Sequence, residues 1–302
     1  QLSIPLVSSF MSPTPSSIAN YFEIVKVDQV NTQSLPPHLS GIILPGRTYG
    51  GLLVSQAVNS FTTLYSHHFP HTINYKYAAP AKTNSPFKYN VNLHESNNFA
   101  SVSATQGGET VGIGHIRYSH EPEHLDTSQY VCPAEYGPPE DYPNIEELAQ
   151  IMEGKMKTKL ESVNSLPMEV RPVESILFSS SGIDRNSTWM RIKPEFHDGI
   201  KANDGLAVAL LLSDFTILQP ASDIYERSKI KISSVASLHH SVRIHESNFD
   251  PYCWYLFIGQ CDVISCGRAL LQSFVFNEDR KCVMTVVQEA YYQRDYEGKN
   301  KI

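Results

Sequence analysis

The chain has 302 residues, of which 41% are hydrophobic and 18% are charged, and its formal net charge is −7. This length suits one large domain or two of ordinary size, and the hydrophobic content is typical of a globular protein with a buried core. The negative charge argues against general nucleic-acid binding, which needs a basic surface to neutralise phosphates. The sequence has no run of 18 apolar residues, so we expect no membrane span.

The ends of the sequence and its cysteines give an expectation about the compartment. The N-terminal run QLSIPLVSSFMSPTPSS lacks a basic start and a sustained apolar core, so it is a poor secretory signal. The C-terminal run KNKI is not a clear peroxisomal signal. Five cysteines form an odd set without Cys-x-x-Cys spacing, which favours reduced thiols over a disulfide framework or a zinc ribbon. We therefore expect an intracellular protein.

The first 120 residues predict one helix followed by several strands. The run YGGLLVSQAVNSF (49–61) begins at a glycine pair, and its apolar residues Val54, Ala57, Val58 and Phe61 recur at helical spacing. Alternating polar and apolar residues then predict four strands, which are TINYKY (72–77), FKYNVNL (87–93), FASVSATQ (99–106) and TVGIGHIRY (110–118).

Residues 121–184 are acidic and proline-rich, and we interpret them as a linker. The run CPAEYGPPEDYPN (132–144) has too many prolines for a continuous helix or strand. The run IEELAQIMEGKMKTKLESV (145–163) predicts a surface helix, because its acidic start and its later lysines both complement the helix dipole.

The first pattern returns in residues 185–302. The run NDGLAVALLLSDFTIL (203–218) predicts a helix that begins at a glycine and is apolar almost all round, which indicates burial. Four predicted strands follow, namely SVASLHHSVRIH (234–245), YCWYLFIGQ (252–260), GRALLQSFVF (267–276) and KCVMTVVQEAYY (281–292). A helix and then about four strands occur twice, which favours a duplication; the alternative is the chance similarity expected within any α+β protein.

The predicted fold is therefore α+β, with a curved antiparallel sheet wrapped around a buried helix, formed twice and joined side by side. We assign the N-terminal repeat to residues 1–120, the linker to residues 121–184 and the C-terminal repeat to residues 185–302.

Three histidines within SLHHSVRIHE (237–246) raise the possibility of a metal site. Regular strand alternation places Leu238, His240, Val242 and Ile244 on one face and Ser237, His239, Ser241, Arg243 and His245 on the other. His239 and His245 would then lie roughly 20 Å apart, too far to share one ion. The first-half run HHFPH (67–71) has no adjacent carboxylate or cysteine cluster. We expect no metal at either place, and a hydrogen-bonded core position for His240.

Asp214 is a candidate general base because it ends the most apolar helix of the chain. A carboxylate there is costly unless it is paired or solvated, and it faces the unfavourable end of the helix dipole. Both effects raise its pKa and make it a stronger proton acceptor. Two alternatives stay open, namely that the helix has reached the surface or that Asp214 caps a following turn.

Gln288 and Ser237 are further candidates in the same half of the chain. Alternation places Cys282, Met284, Val286 and Gln288 on one face, so a neutral amide follows three inward apolar positions and must find hydrogen bonds or line a cavity. Ser237 lies near the start of the strand predicted over 234–245. No Gly-x-Ser-x-Gly motif is present, so a serine-hydrolase mechanism has no support.

Six motifs in order, spread over roughly residues 20–295, carry a resemblance to a known family. They are YGGLLVSQAV (49–58), PMEVRPVE (167–174), WMRIK (189–193), LLLSDFTIL (210–218), SLHHS (237–241) and VVQEAYY (286–292). Together they resemble the acyl-CoA thioesterase II family, the double hot-dog thioesterases of bacteria and peroxisomes.

The resemblance implies an activity and a set of site residues. The family's catalytic aspartate, serine or threonine, and glutamine match Asp214, Ser237 and Gln288. They imply hydrolysis of fatty acyl-CoA to free acid and CoA by direct attack of water, with no metal or organic cofactor. The resemblance also implies a homo-oligomer, either a dimer or a tetramer, and a peroxisomal or cytoplasmic location.

The sequence departs from the family pattern close to these residues. The family's Asp-His-Ser is His239-His240-Ser241 here, and its Trp-Phe-His is replaced by a run containing Arg243 and Ile244. These changes motivate an alternative, a catalytically weakened hot-dog protein that binds acyl-CoA as a sensor or partner subunit. A hot-dog hydratase is a weaker third option.

Overall fold

The computed structural model describes residues 17–41, 46–120, 130–154, 161, 163, 166–173 and 185–295. The C-terminal run KNKI, nearly all of the N-terminal run 1–17 and much of the predicted surface helix therefore lie outside the described residues. Within those ranges, no helix has the length and apolar character needed to cross a membrane.

Twelve described strands form a single antiparallel sheet whose two halves mirror each other. The first six strands are β1 (Val25–Lys26), β2 (Asn31–Ser34), β3 (Phe69–Tyr77), β4 (Phe87–His94), β5 (Phe99–Gln106) and β6 (Glu109–Ser119). The other six are β7 (Met168–Pro172), β8 (Arg185–Ile192), β9 (Ile232–Ile244), β10 (Tyr255–Ser265), β11 (Arg268–Phe276) and β12 (Cys282–Arg294). The spatial order is β1-β2-β4-β5-β6-β3-β9-β12-β11-β10-β8-β7.

This order confirms the predicted double hot-dog. Reading outward from the central β3–β9 pair, the second half repeats the first strand for strand, as two copies of one unit joined about a two-fold axis would. All eight strands predicted above are present. β7 lies within the segment interpreted as a linker, and it pairs with β8 at the edge of the second half.

The described helices are α1 (Ala19–Phe22), α2 (Gly50–Leu64), α3 (Ile145–Ile151), α4 (Gly205–Ser213) and α5 (Gln219–Arg227). α2 and α4 are the central helices of the two halves, and every residue of α4 from Ala207 to Ser213 is buried. Burying a leucine such as Leu210 contributes about 1.5–3 kcal/mol, so the apolar sequence of α4 strongly favours this position.

The two central helices lie side by side and antiparallel. Ser55 Oγ of α2 donates a 2.7 Å hydrogen bond to the carbonyl oxygen of Ala207, near the start of α4. At the other end, Tyr49 donates from its hydroxyl to the carbonyl oxygen of Leu211 over 2.9 Å. A Cβ atom at Gly51 would lie 2.5 Å from the same carbonyl oxygen, so only glycine permits this approach. The C-terminus of α4 therefore meets the N-terminus of α2.

Two of the described helices end earlier than the sequence predicts. The helix predicted over 203–218 is wrong in its second part, because α4 ends at Ser213 and a separate helix, α5, begins at Gln219. Pro220 suits the start of α5, because a first-turn residue needs no intrahelical N–H donor. α3 begins at Ile145 as predicted, with Asn144 and Glu147 forming a capping box. The continuous helix predicted over 145–163 is wrong, because α3 ends at Ile151 and the backbone is extended at Met152.

Candidate active site

The carboxylate of Asp214 lies at the junction of the two halves. Asp214 is the C-cap residue of α4, and it is only 7% exposed. Its carboxylate accepts a hydrogen bond from the backbone N–H of Gly51, in the first turn of α2. A Cβ atom at Gly50 would lie 2.6 Å from Asp214 Oδ2. The lack of a side chain there therefore lets the carboxylate approach the first turn of α2. Backbone N–H groups at a helix N-terminus are a natural anion site.

Burial raises the pKa of the Asp214 carboxyl to about 6, while the hydrogen bonds from Gln288 and Gly51 act in the opposite direction. Of the two causes predicted for a raised pKa, desolvation is the largest one, and the effect of the C-terminal dipole of α4 stays a prediction. The helix terminus that faces the carboxylate is the favourable start of α2. The alternative that the helix has reached the surface is wrong, because the residue is buried.

Gln288 links Asp214 to Ser237. It lies on the inner face of β12, is fully buried, and donates from Nε2 to Asp214 Oδ1 over 2.8 Å and to Ser237 Oγ over 2.9 Å. The expectation that this inward amide needs hydrogen bonds is confirmed. The three residues belong to α4, β9 and β12, so only the tertiary fold brings them together.

A β-bulge places Ser237 on this inner face. On β12, Glu289 lies opposite His239 and Ala290 lies opposite Ser237, so Leu238 has no partner and the alternation of β9 shifts by one residue. The prediction that Ser237 and His240 occupy opposite faces is therefore wrong, and both side chains contact Gln288.

The three histidines have separate surroundings. His240 is fully buried, and its two ring nitrogens contact Gln288 Oε1 and Ser213 Oγ. Burial lowers its pKa to about 4, so the ring is neutral near pH 7. His239 lies opposite Glu289 in the sheet, on the other face of β9, and His245 Nε2 contacts Thr285 Oγ1 over 2.8 Å. The described residues contain no group of histidine, cysteine and acidic side chains placed to hold a metal ion.

Two tyrosines complete the surroundings of the carboxylate, and sequence reasoning did not find them. Burial and the Asp214 charge both raise the pKa values of Tyr49 and Tyr77, so they are neutral phenols at any physiological pH. The Tyr77 hydroxyl is buried without a hydrogen-bond partner among the described residues. A water or substrate oxygen placed there would gain a donor. The glycine pair at 50–51 is the sequence signal for this site, although a glycine pair before an apolar run by itself predicts only the start of a helix.

The chain is similar to known proteins in sequence and in fold. Residues 139–292 match the model of a family described as the acyl-CoA thioesterase C-terminal domain. The chain is similar to acyl-CoA thioesterase 2 of Haemophilus influenzae, with 24% identity over 253 residues that cover 80% of this chain and 86% of that protein.

Two solved structures show the same fold. One is acyl-CoA thioesterase II from Mycobacterium marinum, with a TM-score of 0.71, 19% identity and coverage of 94% of this chain and all of that one. The other is a hot-dog protein of unknown function from Alicyclobacillus acidocaldarius, with a TM-score of 0.70 and 17% identity; it covers 92% of this chain and 98% of that one.

Proposed function

The chain belongs to the acyl-CoA thioesterase family, and we propose that it hydrolyses fatty acyl-CoA by direct attack of water at a site formed by Asp214, Ser237 and Gln288. One observation supports the proposed site. Three residues expected to act together contact one another through a single amide, although they come from three separate elements.

Each residue type suits one part of the reaction. Asp214 takes a proton from the attacking water as general base, while the Ser237 hydroxyl and the Gln288 amide fix the position of that water. The raised pKa of Asp214 suits this role, because a base with a pKa near 6 is ionised at pH 7 and still accepts a proton readily.

The bond changes need no cofactor. The water oxygen forms a bond to the acyl carbon, and negative charge develops on the carbonyl oxygen, which backbone N–H groups at a helix start would stabilise. The carbon–sulfur bond then breaks with its electron pair on sulfur. Because the CoA thiolate leaves readily, the proton can reach it from Asp214 or from solvent without a strong general acid.

The alternative function, binding of acyl-CoA without turnover, is not favoured. A family of thioesterases and an assembled base both point to hydrolysis. The replaced residue His239 also lies on the face of β9 opposite to Gln288, so its change does not alter the contacts of the proposed base.

A thiol-release assay tests the proposed function. Purified protein is given acyl-CoA substrates of several chain lengths, and free CoA is measured with a thiol reagent. We expect turnover by the natural chain, and a loss of about 10²–10⁴-fold in Asp214→Asn, the range that general-base catalysis supplies. Saturable binding without thiol release would contradict hydrolysis, and wild-type turnover in the folded variant would contradict the site.

The remaining parts of the proposal concern organisation. The repeat boundaries 1–120 and 185–302, with residues 121–184 between them, are supported by the two runs of strands, although β7 extends the second half into the linker. A homo-oligomer, dimer or tetramer, and an intracellular location, peroxisomal or cytoplasmic, stay predictions. Light scattering of the purified chain tests the first, and imaging of a tagged chain tests the second.

A further inference from the structure

The hydrogen bond made by the carbonyl oxygen of the Gln288 side chain determines which way its NH₂ group points. Gln288 has one NH₂ group and one carbonyl oxygen, and both ends are buried. The NH₂ end donates to Asp214 and Ser237. The carbonyl oxygen points to His240 Nδ1. A carbonyl oxygen only accepts hydrogen bonds, so this contact is favourable only if Nδ1 carries a hydrogen.

This requirement selects one form of His240. A neutral imidazole has a single N–H, so a proton on Nδ1 leaves a lone pair on Nε2. Ser213 Oγ lies 2.8 Å from Nε2 and can donate to it. The same oxygen lies 2.8 Å from the carbonyl oxygen of Leu210, so its one proton has two competing acceptors.

The opposite tautomer would be costly. If Ser213 donated only to Leu210 and Nε2 carried the hydrogen, the lone pair of Nδ1 would face the lone pairs of Gln288 Oε1 in a site without solvent. A buried polar contact in which neither atom donates is destabilising, because both groups have lost their hydrogen bonds to water. Turning the amide over would remove that conflict but would aim the carbonyl oxygen at the Asp214 carboxylate.

We propose that His240, as its Nδ1–H tautomer, is a positioning residue for the thioester hydrolysis. It holds the Gln288 amide in the one orientation that presents Nε2 to Asp214 and Ser237. His240 touches neither the substrate nor the attacking water; it acts through Gln288. This inference rests on the proposed function, and its tests are chosen to separate the two.

A nuclear magnetic resonance measurement tests the tautomer without using turnover. The chain is labelled with ¹⁵N-histidine, and the His240 ring is identified by the signals missing from a His240→Asn sample. Near pH 7 we expect Nδ1 to be protonated and Nε2 to be unprotonated. A proton on Nε2 alone would overturn the inference, whatever the activity of the protein.

Three substitutions test the positioning role in the thiol-release assay. An asparagine amide reaches the place of Nδ1 and can still donate to Gln288, whereas leucine has no donor. For His240→Leu we expect kcat to fall about 10²-fold with little change in KM, as for a misplaced catalytic group. We expect His240→Asn to recover at least a tenth of the wild-type kcat. His239→Leu, changed on the other face of β9, is the matched control and should keep wild-type kcat.

The outcomes distinguish the inference from its premise. If Asp214→Asn loses activity while folded His240→Leu and His240→Asn are equally impaired, or equally active, the positioning role of His240 is refuted and the proposed function stands. If Asp214→Asn keeps wild-type turnover, the proposed site itself is refuted. Circular dichroism and thermal unfolding establish which variants are folded; if His240→Leu fails to fold, His240→Gln replaces it, because its amide extends toward the place of Nε2.

Discussion

The antiparallel helices α2 and α4 have two ends, which the duplication makes equivalent, and the two ends differ in chemistry. At one end, the buried carboxylate of Asp214 meets the glycine pair that begins α2. At the other end, where α2 finishes and α4 begins, lies an open cavity of about 1000 Å³. Its lining includes Asn59, Thr62, Asp204 and Glu246.

The difference shows what turns a helix junction into a catalytic site. The open end also has carboxylates, but Asp204 and Glu246 line an open cavity, and the Asp204 carboxylate caps the backbone N–H of Lys201. At the closed end, burial raises the pKa of the Asp214 carboxyl to about 6. The duplicated fold thus provides two similar helix ends, and the side chains at one of them allow Asp214 to act as a base.

Asparagine substitutions at the two ends give the largest expected contrast. Asp214→Asn should lose about 10²–10⁴-fold in turnover, because it removes the proposed base. Asp204→Asn should keep wild-type turnover, because asparagine can still cap Lys201 and Asp204 lies at the end of the helices away from Asp214. Equal losses of turnover in the two variants, measured by thiol release, would contradict the proposed difference between the two helix ends.

A methyl group added at the closed end is the second test. In Gly50→Ala, the new Cβ atom would lie 2.6 Å from Asp214 Oδ2, so the carboxylate must move. We expect turnover to fall about 10²-fold, as for a catalytic group displaced by about 1 Å. Gly259→Ala is the matched control, since its Cβ atom would make ordinary contacts of 3.7 Å or more. Full activity in Gly50→Ala would show that the close approach is not required.

Loss of the Ser237 hydroxyl should reduce turnover less than loss of the Asp214 carboxylate. Ser237→Ala removes one of the two acceptors of the Gln288 amide and a group that orients water. We expect kcat to fall about tenfold, less than for loss of the base itself. Ser237→Thr keeps the hydroxyl and should retain most of the activity. A Ser237→Thr variant as impaired as Ser237→Ala would argue against a role for the hydroxyl.

The cost of burying the Asp214 charge should be visible in stability. The pKa of Asp214 is higher in the folded state than in the unfolded chain, so its contribution to the free energy of unfolding is fully present below about pH 4 and is lost as the pH rises to about 6. The difference between a pKa of 3.8 in the unfolded chain and one of about 6 in the folded protein corresponds to about 3 kcal/mol.

Asp214→Asn removes this cost. It should therefore raise the free energy of unfolding at pH 8 by up to about 3 kcal/mol, less what the lost charge-assisted hydrogen bonds contributed. Urea unfolding of both proteins at pH 5 and pH 8 measures the difference, which should be larger at pH 8. A variant clearly less stable than the natural chain at pH 8 would contradict the desolvation of Asp214.

Much of the fold could be predicted because hydrophobic periodicity is a local signal. The two central helices and eight strands followed from spacing within short windows, and Asp214 and Gln288 stood out as polar residues at apolar positions. The unpredicted parts depend on distant partners. The bulge at Leu238 exists only in the register between β9 and β12. The approach of Gly51 to Asp214 joins residues from the two halves.

The departures from the family pattern fall in different places in the structure. His239 is on the far face of β9, and Ile244 lines the open cavity at the other end of the helices. His240 keeps the family's residue and contacts Gln288. From the sequence alone all these positions lie within a few residues of Ser237, so their separation required the strand geometry.

The most direct test of the central claim compares two titrations in one buffer. The Asp214 carboxyl is followed by ¹³C nuclear magnetic resonance and assigned with the Asp214→Asn variant, while kcat/KM for acyl-CoA hydrolysis is measured over the same pH range. The account predicts that Asp214 titrates near pH 6 and that kcat/KM falls tenfold per pH unit below the same value, because protonation removes the base. An Asp214 carboxyl that titrates near its usual value of 3.8, or a rate that stays constant through the Asp214 titration, would contradict it.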